Sequence, residues 1–193
     1  MILPIVAYGH PVLKKVAKPI TPDYPGLKEL IANMWETMYN GHGVGLAAPQ
    51  IGLDIRLFVV DSEQLKDDDD EEDADSKFRL TKGIRKVFIN PEIIEESGEP
   101  WTYEEGCLSI PEVRVKIARN ETLRIRYVDE QFNEHIEMYD EMNARIIQHE
   151  YDHLQGILLT DHMTPLKRSL VKKKLDNIAA GKIAVKYKMK FAK

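Results

Sequence analysis

The sequence predicts an α+β domain, with strands filling the middle of the chain and one late helix carrying its most reactive side chains. Three features lead there. Five stretches between residues 54 and 140 are β-branched or alternate apolar with polar residues. Residues 140–155 repeat apolar side chains at three- and four-residue spacing, and two further stretches carry helix start and stop signals. With 193 residues, 43% apolar and 31% charged, the chain can bury one sizeable core.

The first helix is expected in PGLKELIANMWETMYNG, residues 25–41. Pro25 stands near its start, Leu27, Leu30, Ile31, Met34 and Met38 make its apolar stripe, and Gly41 stops it. DIRLFVVDS (54–62) reads as a strand and KVFINPEII (86–94) as its partner, which leaves an acidic surface loop at about 66–80 between them. VRVKIAR (113–119) and TLRIRYVD (122–129) alternate around Asn120 and Glu121, a spacing that predicts a hairpin. EHIEMYD (134–140) adds a strand. A helix from about Asp140 to Gln155 then stops near Gly156. Thr164 and Pro165 supply the N-cap and first residue of a last helix, ending near Gly181. Residues 1–181 thus form one expected domain, and 182–193 a basic tail.

No basic leader, long apolar span or internal repeat stands out, and a single cysteine excludes an internal disulfide. A cytoplasmic protein with no membrane partner is expected. The net charge of −5 is unevenly spread: residues 67–75 hold eight acids, whereas 166–193 hold ten Lys or Arg and one acid. The basic end reads either as a solvated helix with a ragged terminus or as a surface that meets a polyanion.

The chemistry concentrates in RIIQHEYDHLQG, residues 145–156. On a helix His149 and His153 share one face and can grip one metal ion, while Glu150 projects beside it as a general base for a bound water. The competing reading of Glu150 is an ion pair with an arginine such as Arg145. Met142, Ile146 and Ile157 lie at helical spacing with the histidines, so that face points inward. A catalytic site wants a third protein ligand. The metzincin continuation fails, since Gly156 fits but position 159 is leucine, and the acids beyond Asp161 are reduced to Asp176. His10, His42, His135 and His162 lack partner spacing. Cys107 differs: in YEEGCLSIPE, Gly106 permits a close backbone approach, Pro111 limits the strand that follows, and a strand beside the helix would bring a thiolate to the metal.

With GVGLAAPQ (43–50), EGCLS (105–109) and QHEYDH (148–153) in this order, the chain resembles the peptide deformylase family over most of residues 1–181. The resemblance implies antiparallel strands wrapped around a central HExxH helix, with a separate C-terminal helix. It makes Cys107 the third ligand beside His149 and His153, with Fe2+ as the cellular ion and Zn2+, Ni2+ or Co2+ as substitutes. It implies removal of the formyl group from N-terminal formylmethionine of nascent polypeptides, with Glu150 as base and the Gln50 amide and Leu108 N–H as donors to the reacting oxygen. By the same resemblance Gly45, Val44, Tyr103, Glu105, Gly106, Met142, Ile146 and Arg114 meet the substrate. Core packing describes Met142 and Ile146 nearly as well, and a surface position describes Arg114. The last helix would dock on the ribosome near the exit tunnel; no DNA partner is expected. The long acidic insertion and the tail KIAVKYKMKFAK depart from the compact family pattern. Two other readings stand beside this one: an HExxH metallopeptidase, and a non-catalytic, metal-containing ribosome-associated protein.

Overall fold

The computed structural model describes residues 1–68 and 79–192. In chain order these form β1 (Ile5–Val6), α1 (Leu27–Asn40), β2 (Gly45–Ala47), β3 (Leu57–Asp61), β4 (Arg85–Ser97), β5 (Trp101–Cys107), β6 (Ile110–Arg119), β7 (Thr122–Val128), β8 (Glu134–Asp140), α2 (Glu141–Leu154), α3 (Pro165–Ala179) and β9 (Met189–Lys190). Beyond Asp68 the acidic run, expected as a loop, lies outside the described residues until position 79. No helix among the described residues is long and apolar enough to cross a membrane. Mixed helix and antiparallel sheet is the α+β class that the sequence predicts.

The largest sheet is antiparallel, in the order β2-β3-β4-β7-β8. Its centre explains why LFVV is continuously apolar: successive side chains face opposite sides, and both sides are covered. Leu57 and Val59 join Ile31, Met34, Trp35 and Met38 of α1 in one core cluster, while Phe58 and Val60 join Ala144, Ile146, Ile147 and Leu154 of α2 in another. Phe58 stacks on Phe88 with ring centroids 4.8 Å apart, and Phe88 meets Tyr127 at 4.4 Å. Each such fully buried side chain stabilises the fold by roughly 1.5–3 kcal/mol. The outer face of β8 stays wet, with Ile136 and Met138 exposed.

A separate antiparallel ribbon pairs β5 with β6. Here the expected hairpin between 113–119 and 122–129 is corrected: β6 pairs with β5, while β7 pairs with β4 and β8. The physical reason is that the two strands face different cores. Val113, Val115 and Ile117 pack with Val6, Leu13, Leu158 and Ile178, whereas Leu123, Ile125 and Tyr127 pack on the α2 side. Pro111 sits as the second residue of β6 and does not bound it.

Helix ends follow the sequence closely. α1 begins after Gly26 in the left-handed region and is capped by Gly41. α2 ends at Leu154, with Gly156 at φ +71 reversing the chain, so Ile157 lies beyond the helix and is partly exposed. The Thr164 hydroxyl accepts a hydrogen bond from Lys167 N at the start of α3. The tail is not ragged through residue 192. Its β9 pairs in parallel with β1, and Ile183, Met189 and Phe191 pack against the core cluster that holds Val113, Val115 and Ile117.

Candidate metal centre

α2 turns its HExxH face toward the end of the β5–β6 ribbon, and three ligand-capable atoms converge there. One atom each from Cys107, His149 and His153 lie within 4.8 Å of one another. Cys107 Sγ is 3.3 Å from His153 Nε2, and the two imidazole rings stand at 75° with centroids 5.2 Å apart. Ligands on a tetrahedral divalent ion, with bonds of roughly 2.0–2.3 Å, are separated by about 3.5 Å, so this spacing fits an ion.

Burial and partners tune each group. Glu105 accepts from His149 Nδ1 at 3.0 Å, which turns the other ring nitrogen toward the sulfur. The Glu105 carboxylate is itself held by Arg119 at 2.7 and 3.0 Å and by Arg145 at 2.6 Å. Burial opposes its ionisation, but His149 and Arg119 outweigh that and hold it well below the usual carboxylate range. Burial likewise opposes ionisation of Cys107, yet His153 and His149 bring its thiol down to about 5. The His149 imidazole is raised well above its ordinary value: burial works against it, and contacts with Cys107, Glu105 and Glu150 win.

Glu150 is 4% exposed, and its Oε2 has no hydrogen-bond partner among the described residues. Burial, opposed by the two histidines, pushes its carboxyl up to about 7. The ion-pair reading of Glu150 fails, because Arg145 is committed to Glu105, Trp101 O and Ile117 O. Gln50, 1% exposed, accepts from Ala47 N at 2.8 Å through Oε1, which leaves Nε2 facing Cys107 Sγ at 3.5 Å. The buried Ala47 N–H thus decides which end of the amide faces the site.

A cleft of about 680 Å³ opens beside these groups. Val44, Gly45, Tyr103, Met142, Ile146 and Arg114 all border it, as do Gln50, Leu108 and Gly106. Gly45 is needed there: a β-carbon on it would stand 2.8 Å from the Glu150 carboxyl carbon. Gly106 is approached by the Arg114 guanidinium, 3.0 Å from where its β-carbon would be, not by backbone as the sequence suggests. Glu105 borders the cleft too, with its carboxylate bonded to Arg119, Arg145 and His149.

A sequence model of the polypeptide deformylase family matches residues 2–169. The chain belongs to that family. It is 57% identical to a peptide deformylase of Christiangramia forsetii over 99% of this chain and 96% of that one, and 56% identical to one from Flavobacterium johnsoniae over 100% and 97%. Among solved structures it is similar to a peptide deformylase from Legionella pneumophila, with TM-score 0.78, 34% identity and coverage of 94% and 98%. A plant peptide deformylase matches with TM-score 0.79, 30% identity and coverage of 93% and 90%. The chain is therefore a hydrolase of the deformylase type.

Some residues of this deformylase-type cleft escaped the sequence reading. Arg119 and Arg145 pin the carboxylate behind His149, and nothing in their spacing links them to Glu105 on a different strand. The tail contributes Ala184, Val185, Lys186 and Tyr187 to the cleft wall. Burial and the nearby Cys107 sulfur push the Tyr187 phenol up to about 12. The interleaving of basic with apolar residues in KIAVKYKMKF was the only hint that this tail packs on the rest of the domain.

Proposed function

We propose that Cys107, His149 and His153 hold one divalent metal ion beside the base Glu150, and that with these groups the enzyme removes the formyl group from N-terminal formylmethionine of nascent polypeptides, releasing formate. The observation that carries this reading is the convergence of three ligand atoms within 4.8 Å next to a buried carboxylate with a partnerless oxygen. When bound, the ion supplies a Lewis acid for water and the formyl carbonyl; Fe2+ is the expected cellular metal, with Zn2+, Ni2+ or Co2+ as replacements.

The chain's own groups do the rest. Glu150, poised near neutrality by burial, takes a proton from water and returns it to the departing amine. Gln50 Nε2 and the Leu108 N–H donate to the formyl oxygen as charge builds on it, each worth about 3 kcal/mol in the transition state. β2 is an edge strand of its sheet, so Gly45 offers backbone groups to an extended peptide. Val44, Tyr103, Met142 and Ile146 receive the methionine side chain. Glu105 and Gly106 shape the opposite strand, and Arg114, exposed at the rim, reaches residues after methionine.

On this reading α2 is the central helix around which the antiparallel strands are wrapped, and residues 1–181 are one catalytic domain followed by the 182–193 tail. α3 presents exposed Leu166 and Leu170 among its lysines and arginine, a surface suited to ribosomal RNA and protein near the exit tunnel. Work on nascent chains places the enzyme in the cytoplasm.

The test is formate release by anaerobically prepared, metal-loaded protein from an N-formyl-Met peptide, beside the N-acetylated peptide. Release from the formyl substrate alone is expected, with Glu150→Ala lowering kcat at least about 10³-fold while metal content stays near one equivalent. Internal cleavage of the peptide would point to a metallopeptidase, and no turnover of either peptide would point to a binding role.

A further inference from the structure

The tail after α3 does more than fill space. Residues 182–190 return across the molecule until Met189 and Lys190 pair with Ile5 and Val6. Ile5 N–H donates to Lys188 O and Ala7 N–H to Lys190 O, both at 2.8 Å. This short parallel ribbon ends directly over the turn that follows Cys107. Two successive carbonyls of that turn are caught by it: Tyr187 donates its hydroxyl to Leu108 O at 2.7 Å, and Tyr8 N–H donates to Ser109 O at 2.8 Å. Tyr187 lies just before β9 and Tyr8 just after β1, so the segment flanking each strand holds one carbonyl.

The Leu108 side chain is fixed from the other direction. β-Carbons placed on Gly41 and Gly43 would stand 3.1 and 2.9 Å from Leu108 Cδ1, so these glycines make the seat in which that side chain lies. Leu108 is therefore clamped at its side chain by the end of α1 and at its carbonyl by the tail. The Leu108 N–H belongs to the preceding Cys107–Leu108 peptide unit, joined to the clamped carbonyl and side chain through the Leu108 α-carbon, and Leu108 borders the cleft.

We infer that Tyr187 is a positioning residue for the deformylation step: by holding the Leu108 carbonyl it fixes the direction of the Leu108 N–H toward the reacting oxygen. The inference rests on the reading of Leu108 N–H as a donor in the transition state. A donor aimed in advance acts without reorganisation during the reaction, and small misplacements are costly. The loss from releasing the clamp is smaller than from deleting the donor, because the glycine seat still restrains Leu108. The Tyr187 ring also borders the cleft, but a phenylalanine ring preserves that wall while removing the hydroxyl.

The experiment compares wild type with Tyr187→Phe on an N-formyl-Met peptide, and repeats the pair with the Cys107–Leu108 amide replaced by an ester, which deletes the N–H and leaves in place the Leu108 carbonyl that Tyr187 holds. Tyr187→Phe is expected to lower kcat about tenfold with KM within twofold and metal content and Tm unchanged. The ester alone is expected to lower kcat about 100-fold, and Tyr187→Phe then adds nothing further. An ester that leaves kcat intact sinks the Leu108 donor itself. An ester that lowers kcat beside a Tyr187→Phe variant that keeps it, or that raises only KM, overturns the positioning role and leaves the tail a passive wall. Equal tenfold losses with and without the N–H would also overturn it, by showing that Tyr187 acts elsewhere.

Discussion

Cys107 shows how much a single side chain owes to its neighbours. Its thiol is brought down to about 5 by His153 and His149 despite burial, so in metal-free protein it is a thiolate at pH 7. Chelated protein is therefore expected to react with iodoacetamide at a rate nearly flat between about pH 6.5 and 8.5, where an ordinary thiol quickens about tenfold per unit below its pKa. Reloading with zinc should protect the sulfur, and a steep pH dependence in the chelated protein would contradict the histidine contacts. The three ligand-capable residues and Glu150 were legible in the sequence because HExxH spacing is a local helical property, and because Cys107 sits in a recognisable run. Glu105 was legible only as a position. Its task of turning His149 depends on Arg119 and Arg145, which reach it from β6 and α2, and side-chain convergence of that kind leaves no spacing rule behind.

Among the elements, α2 is held in register by its exit as much as by its face. A β-carbon on Gly156, at φ +71, would stand 2.7 Å from Lys14 O, so an alanine there meets both backbone strain and a carbonyl that cannot retreat easily. Gly156→Ala is expected to cost about 1–3 kcal/mol in urea unfolding. A change below about 0.5 kcal/mol would mean that the Lys14 segment simply moves aside. The helices were legible nearly to the residue because their caps lie in the chain itself: Gly41, Gly156 and Thr164 act within a turn of the helix they bound. The separation of β6 from β7 was not legible. Alternation in VRVKIAR and TLRIRYV shows that each strand buries one face, but not which of two cores receives it, and Asn120-Glu121 spans the gap between sheets as readily as it would close a hairpin.

At the scale of the whole molecule, charge sets how stability responds to acid. Glu137 on β8 is bound by Lys86 at 2.7 Å and by the hydroxyls of Tyr127 and Tyr139. Burial alone would raise its carboxyl; Lys86 and the two tyrosines outweigh this and hold it below its ordinary value. A carboxylate lowered on folding contributes fully above its unfolded value near ~4.3 and loses that contribution as pH falls through the folded value. Allowing for its one-third exposure, Glu137→Gln is expected to cost about 1 kcal/mol at pH 7 and progressively less from about pH 5 to pH 3 in urea titrations. A penalty that does not change with pH would assign the loss to shape alone. The tail was the least legible part, since its basic, irregular composition says nothing about β1, some 180 positions away. That distance matters in the cell. Ribosomes deliver a chain in order, so Ile5 emerges with nothing to pair against, and its partner Met189 appears only after α2 and α3 have been made. Copies not yet extended past α3 therefore lack the cleft wall made by Ala184, Val185, Lys186 and Tyr187, and β1 waits unpaired until that wall is delivered.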